Sequence, residues 1–126
     1  MKKLLLATVA SAAMATAVSA DDVKIGVFLG FTGPIESLVA QMGPGAEAAI
    51  AEVSASGSFM NGSTVTAIRA DTTCVDAGAA TAAAERLITS DKVSGIVGGD
   101  CPGVTTATLT NIAMPNGMVM ISPSAT

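Results

Sequence analysis

The chain has 126 residues, with six basic and ten acidic side chains, a formal net charge of −4, and no histidine, tryptophan or tyrosine. So acidic a chain is a poor candidate for nucleic-acid binding, which needs basic surface and often stacking aromatics. With no histidine and only two cysteines it also lacks the ligands of an ordinary zinc site and an imidazole base for hydrolysis; neither a metal, a cofactor nor a catalytic residue is expected.

The chain opens on the basic Met1-Lys2-Lys3, and Leu4 to Val18 is apolar or small throughout. Val18 and Ala20 place small residues at the −3 and −1 positions of a cleavage site, and Asp21-Asp22 begins a polar segment. This is the pattern of a secretory signal peptide cleaved after Ala20. A membrane anchor fits less well, because the uncharged run from Leu4 to Ala20 is roughly 17 residues, short for a span, and rich in Ala, Ser and Thr. Without Lys2 and Lys3, residues 21–126 carry four basic and ten acidic groups, a charge of −6. That length suits one lobe with a modest core.

Val23 to Leu29 is mostly apolar, is bounded by Gly30 and reads as a buried strand. From Met42 the positions Met42, Ala46, Ala49, Ile50 and Val53 form one helical stripe, with Glu47 and Glu52 off it and Gly57 ending it. Asn61-Gly62 marks a tight turn, and Thr64 to Ala70 is a second, β-branched strand. Asp76 is placed to cap a helix whose buried face is Ala80, Ala84, Leu87 and Ile88, with Glu85 and Arg86 outward. Val93 to Val97 is a short third strand, Gly103 to Ala113 a helix, and Met118 to Ile121 a fourth strand after Pro115-Asn116-Gly117.

The order β-α-β-α-β-α-β, with strands apolar on both faces, predicts an α/β fold. Its sheet is parallel and doubly wound, flavodoxin- or Rossmann-like, with helices covering both sides. Ligands of such sheets bind beyond the carboxyl ends of the strands. The loops there are 30–38, 71–76, 99–103 and the residues after Ile121. The last residues, 122–126, begin a fourth such loop with no helix after it, so the chain reads as an incomplete lobe, a fragment of a longer protein.

The helix start after Cys101 is the main candidate site. A helix amino terminus exposes amide hydrogens and attracts anions; Gly103 permits close approach, and Thr105 and Thr106 add hydroxyls. A plain capped helix with surface threonines is the competing reading. The glycines match neither a dinucleotide fingerprint nor a phosphate loop, whose lysine is absent. Cys74 and Cys101 fall in loops at the ends of the second and third strands. In an exported chain they read as a disulfide, which would close roughly 28 residues and contribute roughly 3–4 kcal/mol. A redox pair lacks its CxxC spacing. Asp71, Asp76 and Asp100 could gather near the cysteines, but loop acids usually form caps and turns. Met114, Met118 and Met120 read as core packing.

Taken together, VKIGVFLGFTGPIESLVAQMGPGAEAAIAEV, ADTTCVD, VSGIVGGDCPGVTTA and MVMISPSAT resemble the amino-terminal lobe of the periplasmic branched-chain amino acid-binding proteins, the substrate-binding subunits of ABC importers with the type I fold. The resemblance covers all of residues 21–126. It implies a periplasmic, monomeric, non-enzymatic protein that holds an amino acid or related small carboxylate between two lobes and hands it to a membrane permease. It implies carboxylate contacts at Pro102, Ser124 and Thr126 and a pocket contact at Leu38. The family commonly has serine where this chain has Pro102, which offers neither hydroxyl nor amide hydrogen. The grip then shifts to the Gly103 amide, the Thr105 hydroxyl and the loop from Ser124 to Thr126. The rival readings are a ligand-sensing lobe of a receptor or regulator, and an exported enzyme or redox protein.

Overall fold

The computed structural model describes residues 21–125; the signal-peptide segment and Thr126 lie outside them. Four strands, β1 (Asp22–Leu29), β2 (Thr64–Asp71), β3 (Gly95–Gly98) and β4 (Met120–Ile121), alternate with three helices, α1 (Glu36–Ala55), α2 (Ala77–Thr89) and α3 (Pro102–Thr108). A π-helical turn, Leu109–Ala113, continues α3. All pairings are parallel and the strand order is β2-β1-β3-β4, with β1 hydrogen-bonded on both sides. This is the expected α/β architecture.

The strand alternation divides the core in two. Phe28, Ala70 and Ile96 face α2 and α3, packing with Ala80, Ala84, Leu87 and Val104. Val27 and Leu29 face α1, packing with Val39, Met42, Ala46 and Ile50. Right-handed crossovers explain the sides: β1 to β2 steps one way and β2 to β3 steps back across β1, so α1 and α2 must lie on opposite faces. The same rule leaves a strip uncovered, which corrects the expectation of a sheet covered on both sides. On the α1 side nothing among the described residues lies over β4, and Val119 and Ile121 there are 64% and 66% exposed. Beside them Ile25, Ala49, Ile50, Val53, Phe59, Val65 and Val97 line an apolar groove of about 310 Å³. Ala49 and Val53 of the predicted helical stripe therefore line the groove and are exposed rather than core residues.

Three boundaries differ from expectation. α1 starts at Glu36, ahead of Met42, and runs through Gly43-Pro44-Gly45. Packing overrides propensity here: Gly43 is buried against Phe31, whose ring would lie 2.7 Å from any Cβ at that position. As a consequence Leu38, expected in a loop, lies in the first helical turns. β3 begins two residues later and ends one later than expected, and β4 keeps only the end of its predicted span. Asp76 caps α2 as expected, its Oδ1 accepting from the Ala79 amide at 2.9 Å.

Two substitutions test this packing by urea denaturation. Leu87 is fully buried, and Leu87→Ala is expected to destabilise the fold by about 2–5 kcal/mol. Thr108 is also fully buried, and its hydroxyl has no partner among the described residues. Thr108→Val keeps the shape and removes the unsatisfied group, so it is expected to stabilise by about 1 kcal/mol.

Candidate functional site

Because all four strands run the same way, their carboxyl ends share one edge, and the loops leaving them are tied together there. After β2, Thr73 and Cys74 both have left-handed backbone, at φ 54° and 67°, a conformation costly for a β-branched residue. Local acceptors hold it. Asp71 Oδ1 accepts from the Thr73 amide at 2.9 Å, Thr72 Oγ1 from the Cys74 amide at 3.2 Å, and Thr73 Oγ1 from the Asp76 amide at 3.0 Å. Gly33, in the loop after β1, presses on this turn: it has φ 96°, and a Cβ there would run into the Thr73 carbonyl. Only glycine combines that backbone with that approach.

Cys74 and Cys101 are joined by a disulfide, with Cα atoms 5.4 Å apart. The bond fixes the turn after β2 to the residue before α3. Pro102 takes the first helical position, where its missing donor costs nothing. Gly103 follows, exposed, with no atom within 4 Å of a Cβ built on it, and its amide has no acceptor among the described residues. Thr105 is half-buried, and its hydroxyl donates to the Cys101 carbonyl at 2.7 Å. Past β4, the Ser122 hydroxyl donates to the Gly99 carbonyl at 2.6 Å and accepts from the Ser124 and Ala125 amides. The Ser124 hydroxyl donates to the Asp100 carbonyl at 3.0 Å.

The edge therefore gathers Cys74, Cys101, Pro102, Gly103, Thr105 and Ser124. Leu38 lies in the first turn of α1, 65% exposed, and Thr126 lies outside the described residues. The hydroxyls of Thr105 and Ser124 already donate to backbone carbonyls, so the exposed Gly103 amide is the clearest free donor of the set. Among the described residues no group of three His, Cys, Asp or Glu side chains gathers to hold a metal ion.

Sequence reasoning treated the loop acids as caps and turn formers, and Asp71 and Asp76 are that. Asp100, named with them, is instead buried with its carboxylate held between loops, and Ser122, which also organises the edge, is one that sequence reasoning did not single out. The signal for Ser122 was its place two residues before another serine, where a hydroxyl can bond its own backbone.

The electrostatics of the edge are local. Partial burial alone would raise the pKa of Asp71. The Thr32 hydroxyl and the amides of Thr73, Thr32 and Phe31 outweigh it and hold the carboxyl below its usual range. Farther along β2, hydrogen bonding to Arg69 keeps Glu47 below its usual value against a smaller contribution from burial. The Arg69 guanidinium also lies 4.7 Å from the centre of the Phe31 ring.

Comparison with known proteins shows which family shares this fold. Residues 22–126 match the family model described as periplasmic binding protein. The chain belongs to the periplasmic binding protein family. Among curated members, the Leu/Ile/Val/Thr-binding protein of Salmonella typhimurium is 32% identical over 98% of this chain and 33% of its own length. Two solved structures of the family superpose well. The branched-chain amino acid transporter substrate-binding protein LivJ of Streptococcus pneumoniae, in complex with isoleucine, has a TM-score of 0.75 at 30% identity, over 84% of this chain and 30% of its own. An ABC transporter solute-binding protein of Rhodopseudomonas palustris, in complex with 4-hydroxybenzoate, has a TM-score of 0.70 at 25% identity, over 83% and 27%. The chain thus spans about a third of the length of these periplasmic binding proteins.

The depressed Asp71 pKa makes a signed prediction. A carboxyl lowered in the folded state contributes stability that is complete above its unfolded pKa, about 3.9, and is lost as pH falls through the folded value. Melting curves from pH 6 to about 2 are therefore expected to fall more steeply for the native chain than for Asp71→Asn. Above about pH 4 the native chain should melt higher than Asp71→Asn by a constant margin, and that margin should close as pH falls further.

Proposed function

We propose that residues 21–126 are the amino-terminal lobe of an exported solute-binding protein of an ABC importer. In this reading the carboxyl edge of the sheet holds the carboxylate of an amino acid of the branched-chain type or of a related small acid. The observation that carries it is the open Gly103 amide, unengaged among the described residues, at a helix start that the disulfide and the Ser122–Ser124 turn hold in place. The relatives add support, since one is crystallised with isoleucine and another with 4-hydroxybenzoate; a carboxylate is the chemistry the two ligands share.

Each residue has a part in this proposal. The Gly103 amide donates to the carboxylate. Pro102 sets the helix direction without competing for it. The hydroxyls of Thr105 and Ser124 serve the ligand only by giving up their present carbonyl partners, and Thr126 adds contacts from the last loop. Leu38, exposed on α1, offers apolar surface to the ligand side chain. A second lobe supplies the ammonium partner and closes over the ligand, and the closed form is the one the membrane permease recognises. The basic and apolar start of the chain directs export to the periplasm, with cleavage after Ala20, and the mature protein works as a monomer without enzymatic turnover.

Titrating the isotope-labelled chain with L-isoleucine, L-leucine and 4-hydroxybenzoate, and following backbone amide shifts, tests the site. The amides of Gly103, Val104 and Ser124 are expected to move together, with affinity weaker than about 1 μM because one lobe desolvates only one side of a ligand. Gly103→Val adds bulk where there is open space, so it should leave the melting temperature in place and weaken binding at least about tenfold. Shifts confined to residues away from this edge, or none with any carboxylate, would count against the reading.

A further inference from the structure

Asp100 directly follows the Gly98-Gly99 end of β3 and is 6% exposed. It lies one residue outside the N-cap of α3, Cys101, and its carboxylate serves the neighbouring loops. Its Oδ2 accepts from the Gly30 amide at 2.5 Å, just past β1. Its Oδ1 accepts from the Thr72 hydroxyl at 3.0 Å, just past β2. Thr72 is fully buried and passes the link on, its Oγ1 accepting from the Cys74 amide. The Asp100 carbonyl receives the Ser124 hydroxyl from beyond β4. One residue thus touches the loops after all three other strands. Neither ion pair among the described residues involves it, so neutral donors alone compensate the burial of this carboxylate. Burying such a group is costly unless its bonds are made.

We propose that Asp100 is the positioning residue of the candidate cleft, setting the spacing of the four loops that surround Gly103. The bearing on ligand binding rests on the function proposed above; the positioning itself does not. The Gly30 amide can only donate, and the Thr72 hydroxyl, already accepting from Cys74, sends its proton to Asp100; a carboxylate accepts both. Asparagine can accept from Gly30 only by turning its NH2 toward Thr72, whose hydroxyl must then accept a second time and send its proton elsewhere. Leucine presents no acceptor at similar volume.

The experiment uses the whole chain as Asp100→Asn, Asp100→Leu and Thr72→Val, with amide exchange measured residue by residue and L-isoleucine as the titrated probe. Exchange at Gly30 and Cys74 is expected to accelerate about tenfold or more while Val27 and Leu87 keep their protection. Asp100→Asn should retain more protection than Asp100→Leu, and the isoleucine response at Gly103 and Ser124 should shrink in the same order. Equal loss of protection throughout the chain would reduce Asp100 to a general stabilising role and overturn the proposal, as would unchanged exchange at Gly30 and Cys74. If Asp100→Leu does not fold, Asp100→Asn and the Gly30 exchange of Thr72→Val decide the matter, since in Thr72→Val the Cys74 amide loses its own acceptor directly. If the native chain itself does not respond to isoleucine, the ligand reading fails, and the exchange pattern still judges the positioning.

Discussion

Parallel pairing of β1 with β2 on one side and β3 on the other is the constraint from which the rest of the molecule follows. It delivers Gly30, Thr72 and Gly99 to the same edge, although they are far apart in the chain. It also obliges the connections to cross the sheet, which puts α1 on one face and α2 with α3 on the other. The disulfide, the Asp100 contacts and the Ser122 turn all act on loops that this pairing has already brought close. They refine spacing within a few ångströms and do not create the proximity.

The edge has an unusual electrostatic make-up for a place that would receive an anion. Of the four basic side chains of residues 21–126, Arg69 comes nearest, over the Phe31 ring of the first loop, but it is paired with Glu47; Arg86 pairs with Asp91, Lys24 lies within β1 and Lys92 precedes β3. The acids Asp71, Asp76 and Asp100 in the edge loops are each occupied by N–H or O–H donors. A negative group arriving there would rely on backbone dipoles and would meet little competition from mobile cations. That arrangement favours recognition by shape and hydrogen-bond direction over attraction at a distance.

Much of the fold was legible because strand runs, the Asp76 cap and the helical face of Ala80, Ala84 and Leu87 are local signals that tertiary packing reinforces. The disulfide was legible from the export signal and the missing CxxC spacing, with both cysteines just past strands whose loops can meet; in the fold those strands, β2 and β3, flank β1. The start of α1 was not, because the apolar stripe is regular only from Met42, and the packing of Phe31 against Gly43 that ties the preceding loop to the helix is a tertiary contact no periodicity shows. Leu38 was misplaced by the same error. Asp100 was hidden for a different reason: its partners, Gly30 and Thr72, are 70 and 28 residues away, and no periodicity encodes so distant a bond. The open strip beside β4 was unreadable because an apolar strand announces that it wants cover and says nothing about what provides it.

The brevity of β4 has a practical consequence. Only Met120 and Ile121 pair with β3, and among the described residues nothing pairs with the far side of β4, beside the exposed Val119 and Ile121 side chains. No lysine or proline guards the two paired residues, the usual deterrents to strand addition. Unless another segment lies over this flank, concentrated solutions of the chain should form oligomers that grow from it, and a charge introduced at Ile121 should keep them dispersed.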